Sequence, residues 1–495
     1  MVDEFRLAKL KSLREIGINP YPYNYVQTAH ATEIKQDFEG FNNKQVSIAG
    51  RAISMREMGK LYFIDILDGT GKIQVLVRSD KASAEAMKIL KLADVGDILG
   101  VGGTVIKTKR GEITVEATNI VMLAKSLRVL PEKFHGLTDT ELRYRKRYLD
   151  LIANPEVKNF FITRAKILKY VRDFLDYHGY IEFETPVLQP TYGGANAKPF
   201  ITYYNALDSK VYLRVADELY LKRLIIGGFE KVYEVSKDFR NEDIDSTHNP
   251  EFTQVEFYEA YKDYNYLMEF TEEMLNGMVK SLFNSEKVVY KGAELDFKRP
   301  FERLYWVDEL RKKSGIDVSK LTDEEAEKIA EKENLPVPIK NAYHVADALF
   351  DKYIQPNLFN PTFVTDFPSY MCPLTKDKRG NSMLSERFEL YLAGKEVANC
   401  YSELTDPIEQ SKKFSEQEEE RKHGDEEAPP PDSDFIEAIE YGMPPTAGIG
   451  VSIDRIAMLL TGNDSIKEVI AFPAVKPIPK NLQKPKEAKG KEDKK

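Results

Sequence analysis

The sequence predicts an α+β protein with two folded parts: a small β-barrel near the N-terminus, and a larger domain built on an antiparallel sheet flanked by helices. Three observations predict this fold class. Five short runs with strand-like alternation of apolar and polar residues fall within residues 45–123. Short strands then alternate with amphipathic helices from about residue 156 onward. A charged connector over residues 126–155 separates the two patterns.

Length and composition limit the class of protein. The chain has 495 residues, enough for two or three domains, and 42% of them are hydrophobic, enough for a substantial core. The net charge of −9 argues against a protein that coats nucleic acid, although a local basic or stacking surface stays open. The two cysteines, Cys372 and Cys400, predict neither a zinc cluster nor a disulfide framework, which favours a cytoplasmic location. We expect no secretory signal and no membrane span, because no stretch of about 18 apolar residues occurs.

Changes in composition divide the chain into five segments. We expect an N-terminal helix and lead-in over residues 1–44, the barrel over 45–125, the connector over 126–155, the large domain over 156–478, and a Lys-rich, disordered tail over 479–495. Acidic residues outnumber basic ones within residues 416–437, which predicts a mobile acidic segment there.

The barrel prediction depends on the spacing of the strands. The predicted strands are Val46–Ile53, Leu61–Leu67, Lys72–Arg78, Asp97–Lys107 and Glu112–Thr118. One helix, about Lys81–Leu92, separates the third strand from the fourth. Five strands with a helix after the third are typical of an OB-fold barrel.

Three polar or aromatic side chains fall on the outer faces of adjacent barrel strands. Alternation places Arg51, Phe63 and Gln74 opposite the apolar, inward-facing positions. Such a set suits unstacked bases, because the ring stacks, the guanidinium binds phosphate and the amide reads a base edge. The alternative is a partly exposed surface phenylalanine with no ligand.

Residues 231–258 predict a strand, a loop and a second strand. Arg240 ends the first strand, and Phe252, Glu256 and Tyr258 share one face of the second. If the pairing register agrees, the hairpin projects all four side chains into one cleft. Arginine can bind a carboxylate or phosphate with two hydrogen bonds, and Phe252 can stack an adenine.

Residues 448–460 predict a strand of small residues that runs directly into an apolar helix. Arg455 then lies in the first helical turn, where the helix dipole disfavours a cation. This position favours an anionic ligand, and a structural ion pair is the alternative.

Residues 386–404 predict two strands around a glycine turn. Glu389 and Glu396 can approach each other across this hairpin, and paired carboxylates suit Mg²⁺ that carries nucleotide phosphates. Solvated glutamates are the alternative. Strict alternation places Glu396 on the opposite face from Asn399, Tyr401 and Glu403, so one site for all of them requires a bulge between 396 and 399.

Together these segments resemble the class II aminoacyl-tRNA synthetases, and among them the lysyl-tRNA synthetase family. Phe239–Thr253 is similar to motif 2, Gly442–Arg455 to motif 3 and Gly179–Pro186 to motif 1, which forms the dimer interface in this family. Further lysyl-like stretches are Gly193–Phe200, Glu218–Arg223 and Lys133–Leu137. The resemblance implies a class II catalytic domain behind an OB-fold anticodon-binding domain.

The implied activity is the ATP-dependent conversion of L-lysine to lysyl-adenylate and its transfer to tRNA(Lys). The resemblance also implies Mg²⁺ as cofactor and a homodimer formed through the motif 1 region. Two other functions stay open: an aspartyl- or asparaginyl-tRNA synthetase of the same architecture, and a non-catalytic nucleic-acid-binding paralogue.

The resemblance implies a role for individual residues. Arg240 and Arg455 are the implied catalytic residues. The implied ATP-binding residues are Arg240, Glu242, His248, Asn249, Phe252, Glu389, Glu396 and Arg455, of which Glu389 and Glu396 hold the metal. The implied lysine-binding residues are Gly194, Glu218, Arg240, Glu256, Tyr258, Asn399, Tyr401 and Glu403. The implied anticodon-binding residues are Arg51, Phe63 and Gln74.

Two positions depart from the family pattern. Tyr401 stands where many members carry phenylalanine, so its hydroxyl needs a hydrogen-bond partner near the lysine side chain. Asp217 stands where proline is common, which changes the loop before Glu218.

Overall fold

A computed structural model describes residues 2–131, 137–337, 339–422 and 429–477. The chain forms two compact units, Met1–Thr138 and Asp139–Lys495, so the division falls within the predicted connector. The predicted tail, residues 479–495, lies outside the described residues, and so do residues 133–136 of the lysyl-like stretch Lys133–Leu137.

The first unit is a closed five-stranded barrel. Its strands are β1 (Gln45–Met58), β2 (Leu61–Leu67), β3 (Lys72–Arg78), β4 (Ile98–Lys107) and β5 (Ile113–Ala124). Its helices are α1 (Glu4–Glu15), α2 (Ala31–Gln36), α3 (Phe38–Phe41) and α4 (Ala84–Leu92). The order around the barrel is β1-β2-β3-β5-β4, and only β3 and β5 are parallel neighbours. With α4 between β3 and β4, the prediction of an OB-fold barrel is confirmed.

β1 is longer than the sequence predicted, because it contains a bulge. Its first half pairs with β4 and its second half with β2, and the register shifts between Ala52 and Ser54. The extra residue reverses the phase of the apolar alternation, so the regular alternation of apolar and polar residues ends at Ile53 although the strand continues. α4 begins after Ser83, whose hydroxyl accepts a hydrogen bond from the Ala86 N–H.

The second unit contains an eight-stranded sheet and three small sheets. The strands of the large sheet are β6 (Ile181–Glu182), β10 (Lys231–Phe239), β11 (Glu251–Ala260), β14 (Glu302–Tyr305), β15 (Thr362–Thr365), β18 (Arg387–Leu392), β19 (Lys395–Ser402) and β20 (Thr446–Ser452). The other strands are β7 (Leu188–Gln189), β8 (Ile201–Tyr204), β9 (Ser209–Leu213), β12 (Lys287–Tyr290), β13 (Ala293–Asp296), β16 (Asp377–Lys378) and β17 (Asn381–Ser385). The order β14-β15-β18-β19-β20-β11-β10-β6 is antiparallel except at its two edges, as predicted.

Helices lie against both faces of this sheet in the second unit. They are α5 (Thr140–Arg145), α6 (Arg147–Ala153), α7 (Val157–Tyr177), α8 (Glu218–Ile226), α9 (Tyr264–Phe283), α10 (Trp306–Ser314), α11 (Asp323–Glu333), α12 (Ala342–Tyr353), α13 (Pro407–Lys422), α14 (Ser433–Glu440) and α15 (Ile453–Leu460). α7, α9 and α15 pack in one hydrophobic core with alternate residues of the central strands, including Val255, Phe257, Leu390 and Ile449. The residues between these alternate positions face the other way and are free to form a site.

The segment over residues 416–437, predicted to be acidic and mobile, is helical at both ends. Its first residues belong to α13 and its last to α14, while residues 423–428 lie outside the described part. Phe414 of α13 and Phe435 of α14 are buried in one apolar cluster, and the Asp432 carboxylate caps α14. These contacts stabilise helices that the net charge alone disfavours. Across the described ranges, no helix has both the length and the apolar composition that a membrane crossing requires.

Candidate active site and nucleic-acid interface

A cavity of about 680 Å³ lies on the face of the large sheet opposite α7, α9 and α15. Side chains from β11, β18, β19 and β20 line it, together with the end of β10 and the start of α8. All the residues predicted to bind ATP, lysine or metal line this cavity except Glu403. The sequence-derived set therefore forms one site rather than several scattered groups.

The β10–β11 hairpin has the register that the prediction required. Asp238 pairs with Phe252, and Glu234 pairs with Glu256, so the even-numbered residues of both strands share the cavity face. Beyond the end of β10, the Arg240 guanidinium lies 5.1 Å from the centre of the Phe252 ring. Its Nε–H is buried and finds no hydrogen-bond acceptor among the described residues. A buried cationic donor without an acceptor is well suited to an anionic ligand.

The predicted bulge in β19 is confirmed. Leu390 pairs with Ala398 and Tyr391 pairs with Glu396, so Val397 is the extra residue. The bulge brings Glu396 to the same cavity-facing side as Asn399 and Tyr401.

Glu389 and Glu396 provide two carboxylates at one end of the cavity. The Tyr391 hydroxyl donates a hydrogen bond to Glu389 at 2.8 Å, and Arg387 forms an ion pair with it. Burial raises the pKa of Glu389 to about 7, with Arg387 opposing the rise and repulsion from Glu396 adding to it. An oxygen-only set with mutually repelling charges fits Mg²⁺, which binds one or two carboxylates and otherwise keeps water and phosphate oxygens.

Arg455 lies at the start of α15 beside this carboxylate pair. Its Nη1 donates to the Glu396 carbonyl at 2.7 Å and lies 3.5 Å from the Glu396 carboxylate. Its Nη2 lies 3.2 Å from Nε2 of His248. The neighbouring Asp454 accepts a hydrogen bond from the Thr253 N–H at 2.8 Å and fixes the junction of β20 and α15. Arg455 therefore has a structural partner and also faces the cavity. The anionic-ligand interpretation and the structural ion-pair interpretation each describe part of its environment.

The other end of the cavity is rich in buried carboxylates. The Tyr258 hydroxyl donates to Glu256 at 2.8 Å, and the Gln254 amide donates to the same carboxylate at 2.7 Å. Gly194 has a φ of +88°, and a Cβ there would lie only 3.1 Å from the Cβ of Glu218. Glycine is therefore required for this loop to approach Glu218.

Tyr401 satisfies its hydroxyl within the site. The Asn399 amide donates a hydrogen bond to this hydroxyl at 3.1 Å. The departure from phenylalanine is therefore accommodated by a predicted site residue.

Glu403 lies directly behind the cavity wall. It is fully buried, and Oε2 forms an ion pair with Lys222 of α8. Its other oxygen, Oε1, lies against Gly448, where any Cβ would clash with it. Burial raises the pKa of Glu403 to about 8 because the attraction of Lys222 does not fully compensate.

Asp217 belongs to a buried acidic cluster at the start of α8. Carboxylate oxygens of Asp217, Asp238 and Glu256 all lie within 4.8 Å of one another. Burial, followed by mutual repulsion, raises the pKa of Asp217 well above its usual value and that of Glu256 to about 8. This second departure from the family pattern therefore adds a buried acid to the site.

Several lining residues escaped the sequence analysis. Arg387 is two positions from Glu389 on one strand, so strand alternation alone places its side chain on the cavity face. Asp347 and Asp351 reach the cavity from α12, a helix whose sequence offered no comparable signal. Lys222, which belongs to the lysyl-like stretch Glu218–Arg223, is buried behind these lining residues.

On the barrel, Arg51, Phe63 and Gln74 are all half-buried and occupy successive rows of the outer face. Arg51 pairs with Leu67, Gln74 with Asp65, and Phe63 with Leu76. The Arg51 guanidinium donates to the Gly96 carbonyl at 2.7 Å, and the Gln74 amide oxygen accepts from the Thr114 hydroxyl. Through the bulge in β1, Arg56 lies directly opposite Phe63, a cation that the alternation did not place there.

Comparisons with known proteins agree with this site. The family described as tRNA synthetases class II (D, K and N) matches residues 139–476, and the family described as OB-fold nucleic acid binding domain matches residues 46–123. The chain is 48% identical over 478 residues to a protein of Clostridium perfringens named Lysine--tRNA ligase, covering 95% of each chain.

Other relatives carry the same name. The chain is 47% identical over 475 residues to the Lysine--tRNA ligase of Carboxydothermus hydrogenoformans, covering 95% of this chain and 97% of the relative. It is 48% identical over 476 residues to that of Thermoanaerobacter pseudethanolicus, covering 95% of each. With an OB-fold barrel, an antiparallel sheet and near-complete coverage in agreement, the chain belongs to the class II tRNA synthetases of the D, K and N group.

Proposed function

We propose that this protein activates L-lysine with ATP and transfers the lysyl group to tRNA(Lys). The observation that carries the proposal is the charge distribution of the cavity. Arg240 and Arg455 line the cavity and suit anionic phosphate and carboxylate groups, while the buried carboxylates Glu218 and Glu256 line it as well and suit ammonium groups. An α-amino acid with a second ammonium group complements such a site.

Acidic or amide side chains complement this site less well. An aspartate substrate requires a cation for its side chain, and the carboxylates around Tyr258 would repel it. The relatives described above, all named lysine–tRNA ligases, favour the same substrate. A non-catalytic paralogue is disfavoured because the arginines, Phe252 and both glutamates of the ATP site are present and meet in one cavity.

The proposed reaction requires no protein nucleophile. The lysine carboxylate attacks the α-phosphate in line and displaces pyrophosphate. A ribose hydroxyl at the tRNA 3′ end then attacks the carbonyl of lysyl-adenylate, takes the lysyl group and releases AMP. Arg240 binds the α-phosphate and the lysine carboxylate, and Arg455 binds the far end of the triphosphate. Phe252 stacks the adenine, with Glu242, His248 and Asn249 beside it. Catalysis comes from positioning and from neutralisation of charge.

At the amino-acid end, we assign the α-amino group to Gly194 and Glu218 and the carboxylate in part to Asn399. The side-chain ammonium is assigned to Tyr258 and Glu403, with Glu256 and Tyr401 alongside. Glu403 lies against Gly448, which lines the cavity.

Glu389 and Glu396 would hold Mg²⁺. When bound, the ion would neutralise phosphate charge and orient the triphosphate. Arg387 and Tyr391 fix the Glu389 carboxylate for this role.

Three further parts of the proposal concern partners and location. Arg51, Phe63 and Gln74 would read the anticodon from the barrel. A homodimer would form through the motif 1 region, where Ile181 is 48% exposed, and the exposed apolar side chains continue after it with Leu188 at 51% and Ile201 at 62%. A cytoplasmic location is supported by Cys372 and Cys400, which are both unpaired and buried.

Aminoacylation tests the proposal directly. Purified protein, ATP, Mg²⁺ and labelled lysine should charge a tRNA(Lys) transcript and leave a tRNA(Asp) transcript uncharged. The matched reaction uses labelled aspartate with both transcripts. Charging of tRNA(Asp) with aspartate, without any lysine product, would replace the proposal by the aspartyl alternative, and no charging at all would favour the non-catalytic one.

A further inference from the structure

A buried cation of the protein itself lies behind the amino-acid end of the cavity. Lys222 of α8 is only 1% exposed, and its ammonium forms ion pairs with both Glu218 and Glu403. Phe435 of α14 covers it, with the ammonium 5.9 Å from the ring centre. Glu218 lines the cavity, whereas Glu403 lies behind its wall, so Lys222 links the two carboxylates assigned to the two ammonium groups of the substrate.

One ammonium cannot neutralise two buried carboxylates. Burial alone would lower the pKa of Lys222, yet attraction to Glu218 and Glu403 raises it overall, so Lys222 stays charged. The pKa of Glu403 is raised at the same time by burial and by Glu218. With its pKa raised to about 8, Glu403 binds a proton at neutral pH in the empty site, so a second cation is needed before both carboxylates are charged together.

We propose that Lys222 is a specificity-determining positioning residue: its ammonium holds Glu218 and Glu403 at a fixed separation, which leaves their remaining oxygens for the α- and side-chain ammonium groups of a diamino acid. This inference rests on the proposed function, because it assigns a role within the same lysine site. Lys222 does not touch the reacting atoms, and it acts through the two carboxylates.

Removal of Lys222 changes how Glu403 is charged. Without the buried cation, burial and repulsion from Glu218 raise the pKa of Glu403 further, and the incoming ammonium must displace the Glu403 proton. Titratable groups from four parts of the chain act on Glu403. Helix α8 contributes Lys222 and Glu218, β11 contributes Tyr258, β19 contributes Cys400 and Tyr401, and the segment before β16 contributes Lys376. Of these, Lys222 is the cation in direct contact, so its loss has the largest effect.

The test is lysine-dependent ATP–pyrophosphate exchange by full-length Lys222→Met between pH 6.5 and 8.5. We expect the KM for lysine to rise about tenfold at pH 7 while the KM for ATP changes less than about twofold. The lysine KM of the variant should also fall more steeply with rising pH than that of the wild type, because its Glu403 holds a proton more tightly and loses it as pH rises. On a Glu403→Gln background, the same substitution should add a smaller rise than it does in the wild type, since the part of its effect that passes through Glu403 is already lost.

Lys125 offers a matched control. Its buried ammonium bridges Asp94 and Asp97 in the barrel unit in the same way. Lys125→Met should leave the lysine KM of exchange unchanged, even where it lowers the unfolding temperature. If Lys222→Met does not fold, Lys222→Gln, which keeps an N–H donor without the charge, takes its place.

The outcomes separate the two proposals. A wild type that exchanges pyrophosphate with lysine, alongside a Lys222 variant with unchanged lysine KM, overturns the inference alone. Equal rises in the lysine and ATP KM values with an unchanged pH profile also overturn it and make Lys222 structural. No lysine-dependent exchange by the wild type overturns the proposed function itself.

Discussion

At the scale of single residues, the amino-acid end of the cavity depends on carboxylates that the fold keeps out of water. Glu256 accepts hydrogen bonds from Tyr258 and Gln254, while Glu403 has Lys222 as its ion-pair partner. Such groups are costly to bury, and the cost is compensated where a ligand ammonium completes the pairing.

Glu403→Gln removes one of these charges. A charge-assisted hydrogen bond contributes roughly 1.5–3 kcal/mol, so the KM for lysine should rise about 10–100-fold while the KM for ATP stays nearly constant. Pyrophosphate exchange with each substrate varied in turn measures both values. The control is Glu386→Gln, a buried glutamate paired with Arg379 outside the cavity lining. Equal rises in both KM values would show that the assignment of Glu403 is wrong.

Asp217→Asn should stabilise the protein at high pH. The folded protein binds the Asp217 proton more tightly than the unfolded chain, since burial and repulsion by Glu256 raise its pKa. The stability from this protonated acid is complete below about pH 4 and is lost as pH rises toward the folded-state pKa. Asparagine has no proton to lose in this pH range, so the variant keeps its free energy of unfolding where the wild type loses part of it.

Thermal unfolding from pH 5 to pH 8 measures this effect. The midpoint of Asp217→Asn should exceed that of the wild type by about 2 °C or more at pH 8, and the difference should shrink toward pH 5. Asp173→Asn, which changes an exposed aspartate of α7, should give a curve parallel to the wild type. A difference for Asp217→Asn that grows toward low pH would contradict the assignment.

At the scale of elements, strand alternation predicted most of the site and hairpin register completed it. The cavity faces of β11 and β20 follow from period two alone, and the bulge at Val397 followed from the demand that Glu396 and Asn399 share a face. The bulge in β1 was not predicted, since no site residue required it. The helices that contain Phe414 and Phe435 were not predicted either. They are stabilised by packing between these two residues, a tertiary contact that charge composition does not reveal.

Two glycines of β20 test the packing behind the cavity. A Cβ at Gly448 would clash with the Tyr258 ring and Glu403, whereas a Cβ at Gly450 would make only ordinary contacts, the nearest at 3.6 Å from Glu256. Overpacking of this kind costs about 1–3 kcal/mol, so Gly448→Ala should lower the unfolding midpoint by several degrees and Gly450→Ala should not. Equal unfolding midpoints for the two variants would show that Tyr258 and Glu403 move aside without a cost in stability.

The barrel face has its own test. Phe63→Ala removes a stacking surface that contributes about 1–3 kcal/mol per base, so charging of tRNA(Lys) should weaken while tRNA-independent exchange persists. Leu76→Ala, which removes its cross-strand neighbour, is the matched control for packing. Loss of both activities in Phe63→Ala would make Phe63 structural.

At the scale of the whole molecule, the second unit leaves apolar side chains exposed between β6 and the start of α8. An aspartate in place of Ile201 should convert a dimer to monomers, because a buried unpaired charge is costly. Sedimentation velocity at about micromolar concentration measures the change. Val289→Asp, at an exposed apolar position on β12, should leave the dimer intact. A monomeric wild type would contradict the dimer proposal.

The central claim is that the cavity selects a diamino acid and joins it to AMP. ATP–pyrophosphate exchange measured with each of the twenty amino acids tests it most directly. The account predicts exchange with lysine at least about a hundredfold faster than with any other amino acid, including aspartate and asparagine. Exchange that is fastest with aspartate or asparagine, or absent with all twenty, would contradict it.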